Sequence, residues 1–471
     1  MATDDALPDS YDVIVLGLGP GGEEVAERLA EAGQRVLGVE SNLVGGECPY
    51  YGCIPSKMIV RAAETLAEAG RVNALAGTAR TTADFAKPAD RIRTEATDDW
   101  NDQAAVDRLE RLGGRLVRGF GRLAGRDAEG RPRVEVAGRT FTADRVVIAT
   151  GTAPALPPVP GLDELAGGGL SPDGLVWTNR EVLQIRQAPA SLLVIGGGTI
   201  GCELAQGFRR FGVAVTQLEL GPRILAQEEP ETSDVVAAVL QREGVELHTG
   251  IEITSVRRGG DGVLAELADG RSFTAERLLV AAGRRQHIPE IGVDSIGLDP
   301  HARVLDVDEH MQVVDRVYAV GDVTGKGPFT HVAVWQARVL VAHLLDRREP
   351  FGGYAGLAWV TFTDPEVGRV GLSEQQARER GLRVAIGRAD ISANTRGWIH
   401  GEGNDGFVKL VADADRQVLV GATVVAPGGG EILGVLTLAV HAEVPLWTLR
   451  TMHYAYPTLH RAVSEALATL D

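Results

Sequence analysis

Two cysteines five residues apart, Cys48 and Cys53, stand in the segment GGECPYYGCIPSK, residues 45–57. Such a pair can be a static cross-link, part of a metal site, or a redox couple that opens and closes. A structural zinc site usually needs four ligands in close pairs, and the chain has only one further cysteine, Cys202. A static bridge across so short a loop constrains little. A cycling couple is therefore the leading reading, with the other two kept as weaker alternatives. Geometry adds a requirement. In a regular helix, residues five apart have Cα atoms roughly 8–9 Å apart, whereas a disulfide needs less than about 7 Å. The pair closes only where the helix start is distorted; Pro49 lacks a backbone donor and Gly52 permits unusual dihedrals. A thiolate at a helix start is also expected to have a lowered pKa.

The elements that position this pair are announced by a long-period echo. DVIVLGLGPGGEEVAERLAEAGQRVLGVE (Asp12 to Glu40) and SLLVIGGGTIGCELAQGFRRFGVAVTQLE (Ser191 to Glu219) correspond at a constant offset of 179. Gly17 matches Gly196, Gly19 matches Gly198, Gly22 matches Gly201, Gly33 matches Gly212, and Glu40 matches Glu219. Each copy reads as a buried parallel strand, a glycine turn, an amphipathic helix, a glycine stop and a second strand. The first glycine allows the tight turn, the second lets a pyrophosphate approach, and the third lets the helix pack on the strand. Phosphates then meet unpaired N–H groups and the positive end of the helix dipole. Gly33 and Gly212 suit left-handed C-caps. The closing glutamates accept hydrogen bonds from a ribose diol. Two complete copies imply two dinucleotides or one bipartite ligand. Glu219 favours a free 2′-hydroxyl and hence NADH; Arg223, four residues on, keeps NADPH open.

Composition bounds the rest. The chain of 471 residues, 44% hydrophobic, is long enough for two to four domains. Its net charge of −17 and pI near 5.1 argue against binding nucleic acid or an anionic membrane. The start, MATDDALPDSYD, lacks an apolar run, and no stretch approaches the roughly 20 apolar residues of a membrane span. Three cysteines are too few for a secreted disulfide framework, so a cytoplasmic protein is expected.

Following a dinucleotide fingerprint, GGECPYYGCIPSK resembles the redox-active segment of the class I pyridine nucleotide–disulfide oxidoreductases, which include dihydrolipoamide dehydrogenase, glutathione reductase and mercuric reductase. RVVIATGTAP (Arg145 to Pro154) resembles that family's turn between its FAD and NAD regions. VYAVGDVTG (Val317 to Gly325) resembles its second FAD motif, and VTFTDPEVGRVGLSE (Val360 to Glu374) the start of its dimerisation domain. The resemblance implies an α/β protein: two Rossmann-like dinucleotide-binding domains, for FAD and NAD(P), and an α+β C-terminal dimerisation domain. The implied limits are 1–152 for the first part of the FAD domain, with the redox cysteines, and 153–287 for the NAD(P) domain. Residues 288–350 would be the second FAD part, and 351–471 the interface domain of a homodimer.

The resemblance also implies roles. Electrons would pass from NADH (or NADPH) through FAD to a Cys48–Cys53 disulfide and on to a small-molecule acceptor. Cys53 would be the thiol nearest the flavin and Cys48 the thiol that attacks substrate, with Lys57 near the flavin and paired to Glu203. Besides the first-copy residues, Gly46, Thr150, Gly151, Gly321 and Asp322 would bind FAD, Asp322 through the ribityl chain; Gly283 would join the cofactor-binding residues. Tyr50 and Tyr51 stand where smaller or aliphatic residues are expected and are read as shaping access to the thiols or simply packing.

One segment departs from the family pattern. The disulfide reductases carry His-Pro-Thr with a glutamate five residues after the histidine, and that histidine protonates the leaving thiolate from the partner subunit. Here RTMHYAYPTLHRAVSEAL puts Tyr456 before Pro457 and Thr458, and Arg461 at the glutamate position. Thiol exchange near neutral pH wants a donor with a pKa near 7, and tyrosine's ordinary value is about 10. His460, four residues after Tyr456, is expected to share its helix face and is, with His453, a candidate substitute. The tyrosine is similar to mercuric reductase, yet the chain lacks a C-terminal cysteine pair and an N-terminal metal-binding module, so mercury is not the expected substrate. The leading expectation is reduction of a small disulfide. A quinone, dye, metal ion or other electron carrier is the alternative acceptor, a flavin sensor a weaker one, and low lipoamide activity is expected.

Overall fold

The computed structural model describes residues 7–167, 169–348 and 351–470. The chain forms two compact units. The first comprises Met1–Pro55, Arg91–Pro154 and Arg284–Phe351; the second comprises Ser56–Asp90, Ala155–Gly283 and Gly352–Asp471.

The first unit is built on an eight-stranded sheet. Its main path runs Gln312–Val314, Val317–Ala319, Arg139–Ile148, Ser10–Leu16, Val36–Glu40 and Arg115–Arg118. The strands from Val317–Ala319 to Arg115–Arg118 are parallel. Ser10–Leu16 lies between two neighbours and feeds both faces, as its unbroken apolar run requires. Val13 and Val15 enter one core with helix residues Val25, Leu29 and Leu340. Ile14 and Leu16 enter the opposite core with Phe141 and Val293. Helix Pro20–Glu31 lies close against helix Thr330–Leu344: a Cβ built on Gly21 would stand 3.1 Å from the Ala333 carbonyl oxygen.

The second unit repeats the parallel layout. Its five-stranded sheet runs Glu246–His248, Ala214–Leu218, Ser191–Ile195, Arg277–Val280 and Val176–Trp177, all parallel. The echo in the sequence is an echo in register: Val15 pairs with Gly38 as Val194 pairs with Gln217. The same unit carries a five-stranded antiparallel sheet, Ala358–Thr361, Glu366–Gly371, Val418–Ala426, Phe407–Asp413 and Val384–Asp390. Helix Gly429–His441 contributes Leu433, Leu436 and Val440 to the core on that sheet, and helix Arg461–Ala468 contributes Val463 and Leu467.

Residues 56–90 group with the second unit. Aromatic stacking and ion pairing are the cause. Phe85 stacks on Phe208 at 5.3 Å and meets Phe211 edge-on at 5.2 Å. Arg71 bonds Asp364 at 2.7 Å, and Arg210 reaches the same carboxylate at 2.9 Å.

Candidate active site

The cysteines lie on two helical segments. Cys48 is in the short helix Glu47–Tyr51, Gly52 interrupts the path, and Cys53 opens the helix Cys53–Leu75. The break at Gly52 is the distortion that the spacing demands. Both side chains are thiols rather than a disulfide; Cys48 is half-buried and Cys53 exposed. The Cys53 sulfur lies 3.5 Å from the hydroxyl of Thr330, and both Cys53 and Thr330 act on the ionisation of Cys48. The expected lowering of the pKa does not hold for Cys48. Its bond to Cys53 and its burial push the thiol well above its ordinary value, outweighing Thr330. The preceding turn is close-packed: Gly45 N–H donates to the Leu18 carbonyl at 2.7 Å. A Cβ on Gly46, whose φ is +67°, would sit 2.7 Å from the Gly19 Cα. Tyr50 is buried and its carbonyl accepts from the Trp100 indole at 3.2 Å, which supports a packing role.

The two glycine turns share one geometry. A Cβ on Gly22 would lie 2.0 Å from the Gly17 oxygen, and one on Gly201 2.2 Å from the Gly196 oxygen, so only glycine lets each helix approach its strand. At Gly19 and Gly198 a Cβ would meet nothing within 4 Å. That open space, at the N-termini of helices Pro20–Glu31 and Thr199–Arg210, fits a pyrophosphate. Glu40 accepts from Leu18 N–H and Asn42 N–H, both at 2.7 Å. Glu219 accepts from Gly197 N–H and Gly221 N–H, both at 2.5 Å. Each carboxylate oxygen thus spends one acceptor site on the backbone and keeps another for a ribose hydroxyl. Burial raises the pKa of Glu40.

Further residues of the first unit fit a flavin nucleotide. Thr150 keeps a buried hydroxyl with no protein partner among the described residues. Asp322 accepts from the Thr152 hydroxyl at 2.8 Å, and Gly321 N–H donates to the buried Gln336 at 2.7 Å. Gly151, at φ +57°, borders open space; so does Gly283 of the second unit, at φ +128°.

In the second unit Lys57 pairs with Glu203 at 2.7 Å. Glu203 is almost fully buried, and its other oxygen accepts from Phe362 N–H at 2.8 Å. The ammonium also sits 4.7 Å over the Phe362 ring. Neither Phe362 nor Thr330 stands out in the sequence; a helix-start threonine reads as an ordinary cap.

The Tyr456 segment departs from the helical expectation. Helix Arg461–Ala468 begins after it, so Tyr456 and His460 share no helix face. The cause is Pro457, which disfavours helical backbone in the residue before it. Tyr456 is 66% exposed, with the Arg461 guanidinium 5.4 Å from its ring. His460 turns inward. It lines a cleft of about 350 Å³ with Glu431, Ile432 and Val435, and packs 4.9 Å from the Tyr454 ring. Burial lowers its pKa, and its Nε2 has no partner among the described residues. His453 is exposed.

Comparison with known proteins gives the family. The chain belongs to the pyridine nucleotide-disulphide oxidoreductase family, whose model matches residues 11–337. The family's dimerisation domain matches residues 357–467. It is 33% identical to a dihydrolipoyl dehydrogenase of Thermus scotoductus, over 98% of this chain and 97% of the relative. It is 31% identical to a mercuric reductase of Bacillus cereus, over 100% of this chain and 73% of the relative. Among solved structures, LpdA of Mycobacterium tuberculosis has a TM-score of 0.83 at 25% identity, covering 97% of this chain and 98% of that one. The HOCl-induced flavoprotein disulfide reductase RclA of Escherichia coli shares the fold, with a TM-score of 0.83 at 23% identity, covering 98% and 99%. The protein is an FAD-dependent NAD(P)H oxidoreductase of the disulfide reductase type, and it forms a homodimer through its C-terminal domain. No described helix is long and apolar enough to cross a membrane.

Proposed function

We propose that Cys48 and Cys53 are the redox couple of a cytoplasmic NADH-dependent reductase acting on a small disulfide. The observation that carries this reading is the seating of two thiols on either side of the Gly52 break, with the Cys53 sulfur against the Thr330 hydroxyl. Bound flavin supplies the passage of two electrons from NADH to the cysteine pair. The chain's own residues do the exchange. Cys48 gives up its proton as its sulfur attacks one acceptor sulfur, forming a mixed disulfide and releasing the first acceptor sulfur as a thiol. Cys53 then attacks the Cys48 sulfur, closing the internal disulfide and releasing the second. Two electrons and two protons thereby pass from dithiol to acceptor, giving two thiols. Lys57 and Glu203 are the charged pair assigned to the flavin. The first-copy glycines, Glu40, Gly46, Thr150, Gly151, Gly321 and Asp322 are assigned to FAD; the second-copy glycines, Glu219 and Gly283 are assigned to NADH. The domain limits are read as 1–152, 153–287, 288–350 and 351–471, with residues 56–90 grouped in the second compact unit.

Tyr456 takes the family's proton-donor position. Its exposure supports it over His460, whose Nε2 is buried. The absent histidine–glutamate pair favours a second reading, in which the acceptor is a quinone, metal ion or other electron carrier. Turnover of Cys48→Ser separates the two. Loss of small-disulfide reduction with NADH oxidation by a dye retained supports the thiol route; undiminished turnover of the preferred acceptor sinks it.

A further inference from the structure

The loop after Glu219 is closed upon itself. Gly197 N–H donates to Glu219 at 2.5 Å, and the Gly197 carbonyl accepts from Leu225 N–H at 2.7 Å. Arg223, the cation four residues after Glu219, lies inside this closure. Its guanidinium donates to the carbonyls of Leu225 (3.2 Å), Ala226 (2.8 Å) and Glu228 (2.9 Å) and to the Ser233 hydroxyl (2.6 Å).

The far end of the loop is bolted to the antiparallel sheet of the same unit. Trp359 Nε1–H donates to Glu228 at 2.7 Å. Arg369 bonds the Gln227 carbonyl, stands 3.7 Å from the Glu228 carboxylate, and covers the Trp359 ring at 4.9 Å. Lys409 pairs with Glu229 at 3.1 Å, Glu231 at 2.8 Å and Glu374 at 3.0 Å. Glu228, Glu229, Arg369 and Lys409 are all at least nine-tenths buried. Buried charges are costly unless paired, so this joint has few alternative arrangements.

We propose that Trp359, Arg369 and Lys409 are positioning residues for nucleotide choice: through Glu228 and Glu229 they hold the 220–229 loop closed, so that Arg223 is withheld from a 2′-phosphate. Glu219 repels that phosphate, and the bolted loop denies it a counter-charge. This rests on the reading of Glu219 as the ribose acceptor given above.

The test uses the FAD-loaded dimer and binding rather than turnover. Calorimetry with ADP-ribose and 2′-phospho-ADP-ribose is paired with amide hydrogen exchange across residues 221–228. Glu219→Ala first weakens ADP-ribose; if it does not, the ribose reading itself fails. In that background 2′-phospho-ADP-ribose stays weak, because Arg223 remains held. Adding Trp359→Phe with Glu228→Gln, which removes the indole donor and the carboxylate charge of the joint, speeds exchange in the loop. It also raises 2′-phospho-ADP-ribose affinity about tenfold, the scale of one charge-assisted hydrogen bond. Arg223→Ala then removes the gain. Unchanged exchange shows that the joint does not hold the loop, and faster exchange without the affinity gain shows that Arg223 is not what it withholds; either result overturns the proposal.

Discussion

The Cys53 sulfur lies 3.5 Å from the hydroxyl of Thr330, the first residue of helix Thr330–Leu344. The same hydroxyl favours the ionised form of Cys48. Thr330→Val deletes that hydroxyl and keeps the shape. Alkylation of the reduced dithiol by iodoacetamide at fixed pH is expected to slow about fivefold, from roughly 1 kcal/mol of lost hydrogen bonding. Thr330→Ser restores the rate. Equal rates in all three proteins would show that the hydroxyl does not tune the thiols.

The glycine turns separate packing from binding. Alanine at Gly22 puts a methyl 2.0 Å from the Gly17 oxygen, whereas alanine at Gly19 meets no protein atom within 4 Å. Gly22→Ala is expected to lower the thermal midpoint of the apoprotein, through an overpacking cost of about 1–3 kcal/mol. Gly19→Ala leaves that midpoint in place but lowers the FAD content read from flavin absorbance. The second copy follows the same rule: Gly198→Ala keeps FAD and weakens NADH binding.

These turns are legible in the sequence because their demands are local. A strand, three glycines and a closing acid specify the turn within about thirty residues, and the common register of the two sheets follows. The need for a break between Cys48 and Cys53 is legible for the same reason, and Gly52 supplies it. Contacts between distant segments are not. Thr330 is 277 residues from Cys53, and the joint brings Glu228 to Trp359 across 131 residues and to Arg369 from further still. The Cys48 pKa also escapes, because burial and a neighbouring thiol are tertiary facts. Spacing alone puts Tyr456 and His460 on one helix face, yet a contrary signal is present: Pro457 places the helix start after Tyr456.

Glu203 joins Lys57 to the backbone of Phe362 through its two oxygens. Glu203→Leu leaves the buried Phe362 N–H without this acceptor and the one-third-exposed ammonium without its partner, and is expected to cost about 1–3 kcal/mol. Glu203→Gln keeps an acceptor for one of them and is expected to cost less. Urea unfolding of the two variants checks the order; equal losses would show that packing volume, not pairing, decides the site.

His460 carries a pH dependence whose sign follows from its burial. The folded chain holds the imidazole below its ordinary range, because Nε2 is buried without a partner among the described residues. The unfolded chain protonates near pH 6.5. Between the two values the unfolded state binds more protons, so the stability this residue contributes is present above about pH 6.5 and is lost as pH falls below it. Urea midpoints at pH 7.5 and 5.5 are expected to drop in the parent protein and to drop less in His460→Gln. Small-disulfide reduction persists in that variant and slows in Tyr456→Phe. An equal drop in parent and variant would assign the acid sensitivity to other groups, and loss of turnover in a folded His460→Gln would make His460 the proton donor after all.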